Sequence, residues 1–146
     1  MVSLDTNVLV YAADRTAGVR HAAARSIVDR ATLLGAALTE QSLLEFFHVA
    51  TRKGKMTASE AGLVVRKFTQ EFELLLPQAT IVDDALVLQS RYQLSIWDAH
   101  LLAVCNAHGC DHLLSEDLQD GAAYGTVTVV NPFNSANASL IGRLLS

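Results

Sequence analysis

Five short apolar runs punctuate this chain, at residues 2–4, 36–39, 80–82, 112–115 and 127–130, and they leave few folds open. Each is strand-length. The stretches between them are longer and carry apolar residues three and four apart, as in Ala24, Ile27, Val28, Ala31 and Leu34, or Leu43, Leu44, Phe46, Phe47 and Ala50. Strands separated by helices imply parallel pairing, because a parallel pair needs a crossover and a helix is the usual one. The pattern predicts helices over residues 8–13, 21–34, 40–52, 57–72 and 95–108, and one from Asp83 or Asp84 to residue 92. Gly35, Gly54 and Gly109 stand where helices should stop, and Thr57-Ala58-Ser59-Glu60 has the form of a capping box. The tail from Asn131 is polar with an apolar end. The expected fold class is α/β: an open parallel sheet of about five strands, helices on both faces, right-handed crossovers.

The chain has 146 residues, the size of one domain, and residues 1–146 are expected to form a single unit. A hydrophobic fraction of 51% against 18% charged excludes a disordered chain, and no apolar stretch is long enough for a membrane helix. The apolar excess also hints at a surface that meets another chain. The net charge of −4 argues against a general polyanion binder, so any nucleic acid would be held by a local basic patch or by bound cations. Two cysteines, Cys105 and Cys110, make no disulfide framework, and the segment Cys105 to His112 is too sparse for a zinc cluster; both are expected as buried free thiols. The first residues lack a basic segment and a signal-peptide core, so the expected location is the cytoplasm.

In such sheets ligands bind at the carboxyl ends of the strands. Asp5 follows the first run and Asp117 the fourth. Asp98 opens the helix leading into the fourth strand, and Glu45 lies early in the helix after the second. Four acids from distant segments thus fall on one rim, where their repulsion calls for a cation; hard divalent ions take carboxylate oxygens. Each also has a purely structural alternative. Asp5 could cap a helix; Ser42-Leu43-Leu44-Glu45 and Ser95-Ile96-Trp97-Asp98 both have the form of a capping box; Asp117 could be a turn residue.

Val2-Ser3-Leu4-Asp5-Thr6-Asn7-Val8-Leu9 resembles the opening motif of the PIN-domain nucleases. Ser42-Leu43-Leu44-Glu45 is similar to their second acidic motif, Ile96-Trp97-Asp98-Ala99-His100-Leu101-Leu102-Ala103 to the third, and Leu114-Ser115-Glu116-Asp117 to the fourth. The closing run, with Gln119-Asp120-Gly121 and Val130-Asn131-Pro132-Phe133, looks most like the VapC toxins of bacterial toxin–antitoxin pairs. The resemblance implies a three-layer α/β/α domain and an endoribonuclease dependent on Mg²⁺ or Mn²⁺, homodimeric and silenced by a small cognate antitoxin. It implies acidic roles for Asp5, Glu45, Asp98 and Asp117, with Asp5, Asp98 and Asp117 at the metal and Glu45 positioning the attacking water or a second ion. Glu116 or Asp120 could share the fourth role. Thr6 and Ser115 would be hydroxyls that orient carboxylates. Asn7 stands where another acid would make the first motif more acidic.

Arg52, Lys53 and Lys55 form a basic cluster that could track an RNA backbone or merely complement a helix C-terminus. Arg15 and Arg20 are placed to flank the rim. Trp97 is read as a core or interface residue rather than a base-stacking platform, and Phe46 and Phe47 as core. Competing functions are ordinary RNA processing by a similar domain, a non-catalytic interaction module of the same fold, and a haloacid-dehalogenase-like phosphatase. The last lacks its second acid, since Asn7 occupies that position, and lacks its lysine motif.

Overall fold

The computed structural model describes residues 1–52 and 55–146. Strand β1 (Val2–Leu4) leads directly into α1 (Thr6–Ala13), a 3₁₀ turn (Arg15–Ala17) and α2 (Val19–Leu33). Then follow β2 (Ala37–Thr39), α3 (Glu40–Thr51), α4 (Ala58–Glu71), β3 (Glu73–Leu75), α5 (Ile81–Tyr92), α6 (Ile96–Ala107), β4 (His112–Leu114), β5 (Ala123–Tyr124), β6 (Val127–Val130), a second 3₁₀ turn (Ser135–Asn137) and α7 (Ala138–Leu144). The strands form one sheet in the order β3-β2-β1-β4-β6-β5, parallel except for β5, which runs antiparallel to β6.

Successive side chains of a strand point to opposite faces, and here both faces are apolar. Leu4, Leu38, Leu114 and Val130 point to one side, where they pack with Val8, Leu9, Ile27, Phe46, Phe68 and Ile141 from α1, α2, α3, α4 and α7. Ala37, Leu113 and Val129 point to the other, where they meet Ile81 and Ala85 of α5 and Leu102 of α6. The result is three layers. Phe46 is fully buried, Phe47 packs at that core's margin, and both cysteines are buried and unpaired. Gly109, at φ +72°, closes α6: its N–H and that of Cys110 return to the carbonyls of Asn106 (3.1 Å) and Cys105 (3.0 Å). No helix among the described residues is long and apolar enough to cross a membrane.

Two expectations about the sheet need correction. The third strand is residues 73–75, not 80–82. Thr80 sits at the N-cap of α5, and Ile81 and Ala85 bury one helical turn apart, so the β-branched run after Pro77 is a helix start. The sheet also has a sixth strand, β5, which reaches β6 through the two-residue turn Gly125-Thr126.

That turn carries a prediction. Gly125 has φ +67°, and a Cβ there would run into the amide of Asn106. That amide is fixed: it donates to the carbonyls of Leu102 (2.9 Å) and Tyr124 (3.0 Å) and accepts from Thr126 N–H (2.8 Å) and Oγ1 (2.9 Å). Gly125→Ala is expected to cost about 2–3 kcal/mol in denaturant unfolding. Gly121→Ala, with similar φ but open space around it, should cost only about 1 kcal/mol. Equal losses would mean that the Asn106 contact carries no weight.

Candidate active site

The register places the site. Leu4 pairs with Leu114, so Asp5 and Ser115 emerge side by side at the carboxyl edge of the central strands. Asp5 N–H donates to the Leu114 carbonyl at 3.0 Å, and Ser115 Oγ donates to Asp5 Oδ2 at 2.6 Å. Asp5 is also the N-cap of α1, accepting from Thr6 N–H at 2.7 Å. The capping alternative is therefore realised, yet it does not account for the electrostatics. Asp5 is only 6% exposed. Its carboxyl is pushed up to about 6, first by burial; the bonds from Ser115 and Thr6 pull it back, and the charges of Asp117 and Glu45 push it further up.

Glu45 owes its position to Thr39. That residue, not Ser42, caps α3, with its Oγ1 accepting from Ser42 N–H at 3.1 Å. Helix α3 thus starts one turn earlier than a capping box on Ser42 would require, and Glu45 is left free to face the rim. Its Oε2 accepts from Thr6 Oγ1 at 3.1 Å and its Oε1 from Gln41 Nε2 at 2.9 Å. At α6, Ser95 Oγ accepts from Asp98 N–H at 3.1 Å, which is half of a capping box. At α4 the box is complete, with Thr57 and Glu60 bonded in both directions. Asp98 is half-buried. Burial raises its carboxyl above the ordinary value, as do Asp117 and Glu45, while Ser95 opposes them.

Asp117 is exposed. Its N–H donates to Ser115 Oγ at 3.2 Å, and its Oδ2 accepts from Asn7 Nδ2 at 3.0 Å. The Asn7 amide also reaches Asp5 Oδ2 at 3.4 Å, so a neutral side chain bridges two carboxylates. The neighbouring acids are engaged elsewhere. Glu116 forms a two-pronged pair with Arg20 at 3.0 and 3.1 Å. Asp120 accepts from Asn131 N–H and from the amides of Asn134 and Asn137, all at 2.9 Å, which holds its carboxyl low.

Not every residue singled out in the sequence reaches the rim. Arg52 ends α3 at the end opposite Glu45's rim, and Lys55 pairs with Asp14 at 3.6 Å beyond the far end of α1. Lys53 lies outside the described residues. Trp97 is 68% exposed and so is not a core residue. With Leu44, Glu45, His48 and His100 it lines an open groove of about 380 Å³. The roles of Asn7 and Gln41 were not legible in the sequence, and Arg20 only as a flank of the rim without its Glu116 partner, because each depends on groups brought close only by the fold.

The donor set suits a hard divalent cation: carboxylate oxygens, with amide and hydroxyl groups behind them. Among the described residues no three His, Cys, Asp or Glu side chains are already gathered at ligating distance. Mg²⁺ does not require that, since it takes one or two carboxylates and keeps waters or phosphate oxygens for the rest. Burial is the main cause of the upward shift of the Asp5 and Asp98 carboxyls, and the smaller push from Asp117 and Glu45 is the part that a cation would relieve.

The sequence profile of the PIN domain matches residues 2–119, a span that contains all four acids. The ribonuclease VapC24 of Mycobacterium tuberculosis is 26% identical over 143 residues, 92% of this chain and 99% of that protein. Among solved structures, a toxin–antitoxin complex from Klebsiella pneumoniae contains a similar chain, with TM-score 0.65 and 20% identity over 91% of this chain and 98% of that one. Mycobacterium tuberculosis VapC20, a Sarcin-Ricin loop cleaving toxin, superposes with TM-score 0.64 and 16% identity over 80% of this chain and 92% of its own. With the profile covering most of its length and all four acids, the chain belongs to the PIN domain family.

Proposed function

We propose that residues 1–146 form a single-domain endoribonuclease that depends on Mg²⁺ or Mn²⁺ and acts in the cytoplasm. In this reading it is the toxin of a toxin–antitoxin pair, working as a homodimer and silenced by a small cognate antitoxin. The observation that carries the reading is the rim itself: Asp5, Glu45, Asp98 and Asp117 from four separate segments, with Asp5 buried and its carboxyl at about 6. The similarity to a ribonuclease supports RNA as the substrate class.

Asp5 and Asp98 would hold the cation, and Asp117 would complete the site. The chemistry such a cation would supply is activation of water and relief of charge on the scissile phosphate. The chain's own groups do the positioning. Ser115 fixes one Asp5 oxygen, and its hydroxyl oxygen receives the Asp117 N–H. Thr6 and Gln41 each donate to one Glu45 oxygen, which aims the carboxylate and leaves it lone pairs to accept a proton from an attacking water. Asn7 bridges Asp5 and Asp117 without adding charge.

The test is cleavage of total RNA by the full chain, with Mg²⁺ or with a chelator, and with new 5′ ends mapped. Discrete cuts are expected from the wild type with metal only, and none from Asp98→Asn. Cuts of equal yield from Asp98→Asn, or none from a folded wild type, would refute the assignment.

A further inference from the structure

Arg20, the second residue of α2, is gripped from three sides. Its Nε and Nη2 donate to the two oxygens of Glu116 at 3.0 and 3.1 Å. Its guanidinium carbon lies 5.8 Å from the centre of the Tyr11 ring and 5.7 Å from that of Phe133. The two rings meet edge to face at 5.3 Å. Phe133 is itself anchored, since its N–H donates to Asn131 Oδ1 at 2.9 Å and Asp120 gathers Asn131, Asn134 and Asn137 around the same turn. A run of contacts therefore leads from the C-terminal segment through Phe133 and Arg20 to Glu116, the residue before Asp117.

We propose that Arg20 is a positioning residue for Asp117: clamped between Tyr11 and Phe133, it holds Glu116 and so fixes the turn that presents Asp117 to the rim. Most exposed ion pairs contribute little, but a two-pronged arginine fork with both aromatic neighbours in place is the geometry in which such a pair counts. The rest of the turn is held by Asn7, which donates to the Asp117 carboxylate and accepts the Glu116 N–H at 3.5 Å, and by Ser115, which accepts the Asp117 N–H. The same fork argues against Arg20 as a phosphate grip, because its two best-directed donors are already occupied. The role at the rim rests on the nuclease reading, whereas the mechanical step, Arg20 fixing the turn, does not.

The experiment uses the full chain as Arg20→Met, Arg20→Lys, Glu116→Gln and the double variant Arg20→Met/Glu116→Gln, with Arg143→Met, far from the rim, as control. Folding of each is checked by melting. Amide exchange at Asp117, read without metal, is expected to quicken about tenfold in Arg20→Met and Arg20→Lys, the size of losing one charged hydrogen-bonded pair. The Mn²⁺ midpoint, read by paramagnetic resonance of the free ion, should weaken about tenfold in both. A pure charge effect has the opposite sign: removing a cation beside acids would tighten Mn²⁺ in Arg20→Met and leave Arg20→Lys unchanged. The double variant should be no worse than Glu116→Gln, because both changes break one link. In RNA cleavage kcat should fall with KM held. Unchanged exchange at Asp117, tighter Mn²⁺, additive losses in the double variant, or a raised KM with kcat kept would each overturn the proposal; the last would make Arg20 an RNA contact. A wild type that neither takes up Mn²⁺ nor cuts RNA would refute the nuclease reading, and exchange at Asp117 would then decide the positioning role alone.

Discussion

Asp5→Asn is expected to abolish RNA cleavage while making the metal-free protein more stable at neutral pH. The two effects come from one group. Folding raises the Asp5 carboxyl from 3.8 to about 6, mainly by burial. Between those values the folded chain holds a proton that the unfolded chain has released, so stability falls as pH rises through the window. Above pH 6 the cost is complete, on the order of 3 kcal/mol; below 3.8 it is gone. Asparagine is neutral throughout. Its Oδ1 can accept from Thr6 N–H while its amide donates to Ser115, whose hydroxyl can turn to accept, and the long 3.4 Å contact from the Asn7 amide is the one lost. The variant should therefore melt about 5–10 °C above wild type at pH 8 and close to it at pH 4, and its cleavage rate should drop roughly a hundredfold or more. Melting curves from pH 4 to 8 in chelator, with cleavage assays alongside, check both. A variant that is less stable at pH 8, or a difference that does not vary with pH, would show that Asp5 serves α1 as a cap and little else.

The legibility of the fold followed burial. Strands β1, β4 and β6 lie at or next to the centre of the sheet and are covered on both faces, so Leu4, Leu114 and Val130 announce themselves, although β1 turns the hydroxyl of Ser3 toward one of those buried faces. Strand β3 is at an edge. Glu73 and Leu74 are exposed and only Leu75 is buried, so the segment has neither alternation nor a buried run to read. Residues 80–82 have the β-branched look of a strand, but β-branched residues are tolerated in a first helical turn, and the burial of Ile81 and Ala85 decides for the helix. Strand β5 has two residues and exists only because β6 is there to pair with it.

The site divides in the same way. The rule that ligands gather at strand carboxyl ends places Asp5 and Asp117, and the crossover places Asp98 at the same edge. The Ser42/Glu45 spacing looked equally like a cap. Thr39, one turn earlier, takes that role, and no count of residues reveals which of two hydroxyls will do so. Arg20 and Glu116 are 96 positions apart, and Asn7 and Asp117 are 110 apart. Their pairing depends on which helix packs beside which strand. Local spacing could therefore name the acids but not the neutral and cationic groups that set their geometry.

Millimolar Mg²⁺ or Mn²⁺ is expected to raise the melting temperature at neutral pH and to lose that effect in Asp98→Asn. Asp5 and Asp98 both have carboxyls raised first by burial and further by Asp117 and Glu45, and a cation at the rim would offset the cost of ionising them there. A cation that binds the folded rim and not the unfolded chain stabilises by RT ln(1 + [M]/Kd), about 2.7 kcal/mol at a hundredfold excess. For a chain of this length that is about 5–10 °C. Protons compete for the same oxygens, so the gain should shrink as pH falls below the Asp5 value of about 6. Asp98→Asn removes one anion and should reduce the gain to near zero. Glu60→Gln is the contrasting acid: it closes the capping box of α4 away from the rim, glutamine can serve in its place, and the metal gain should survive intact. The measurement is a set of melting curves for wild type, Asp98→Asn and Glu60→Gln at pH 5 and pH 7.5, with and without metal. An equal gain in wild type and Asp98→Asn would place the ion elsewhere on the molecule, and the acidic rim would then have no part in binding it.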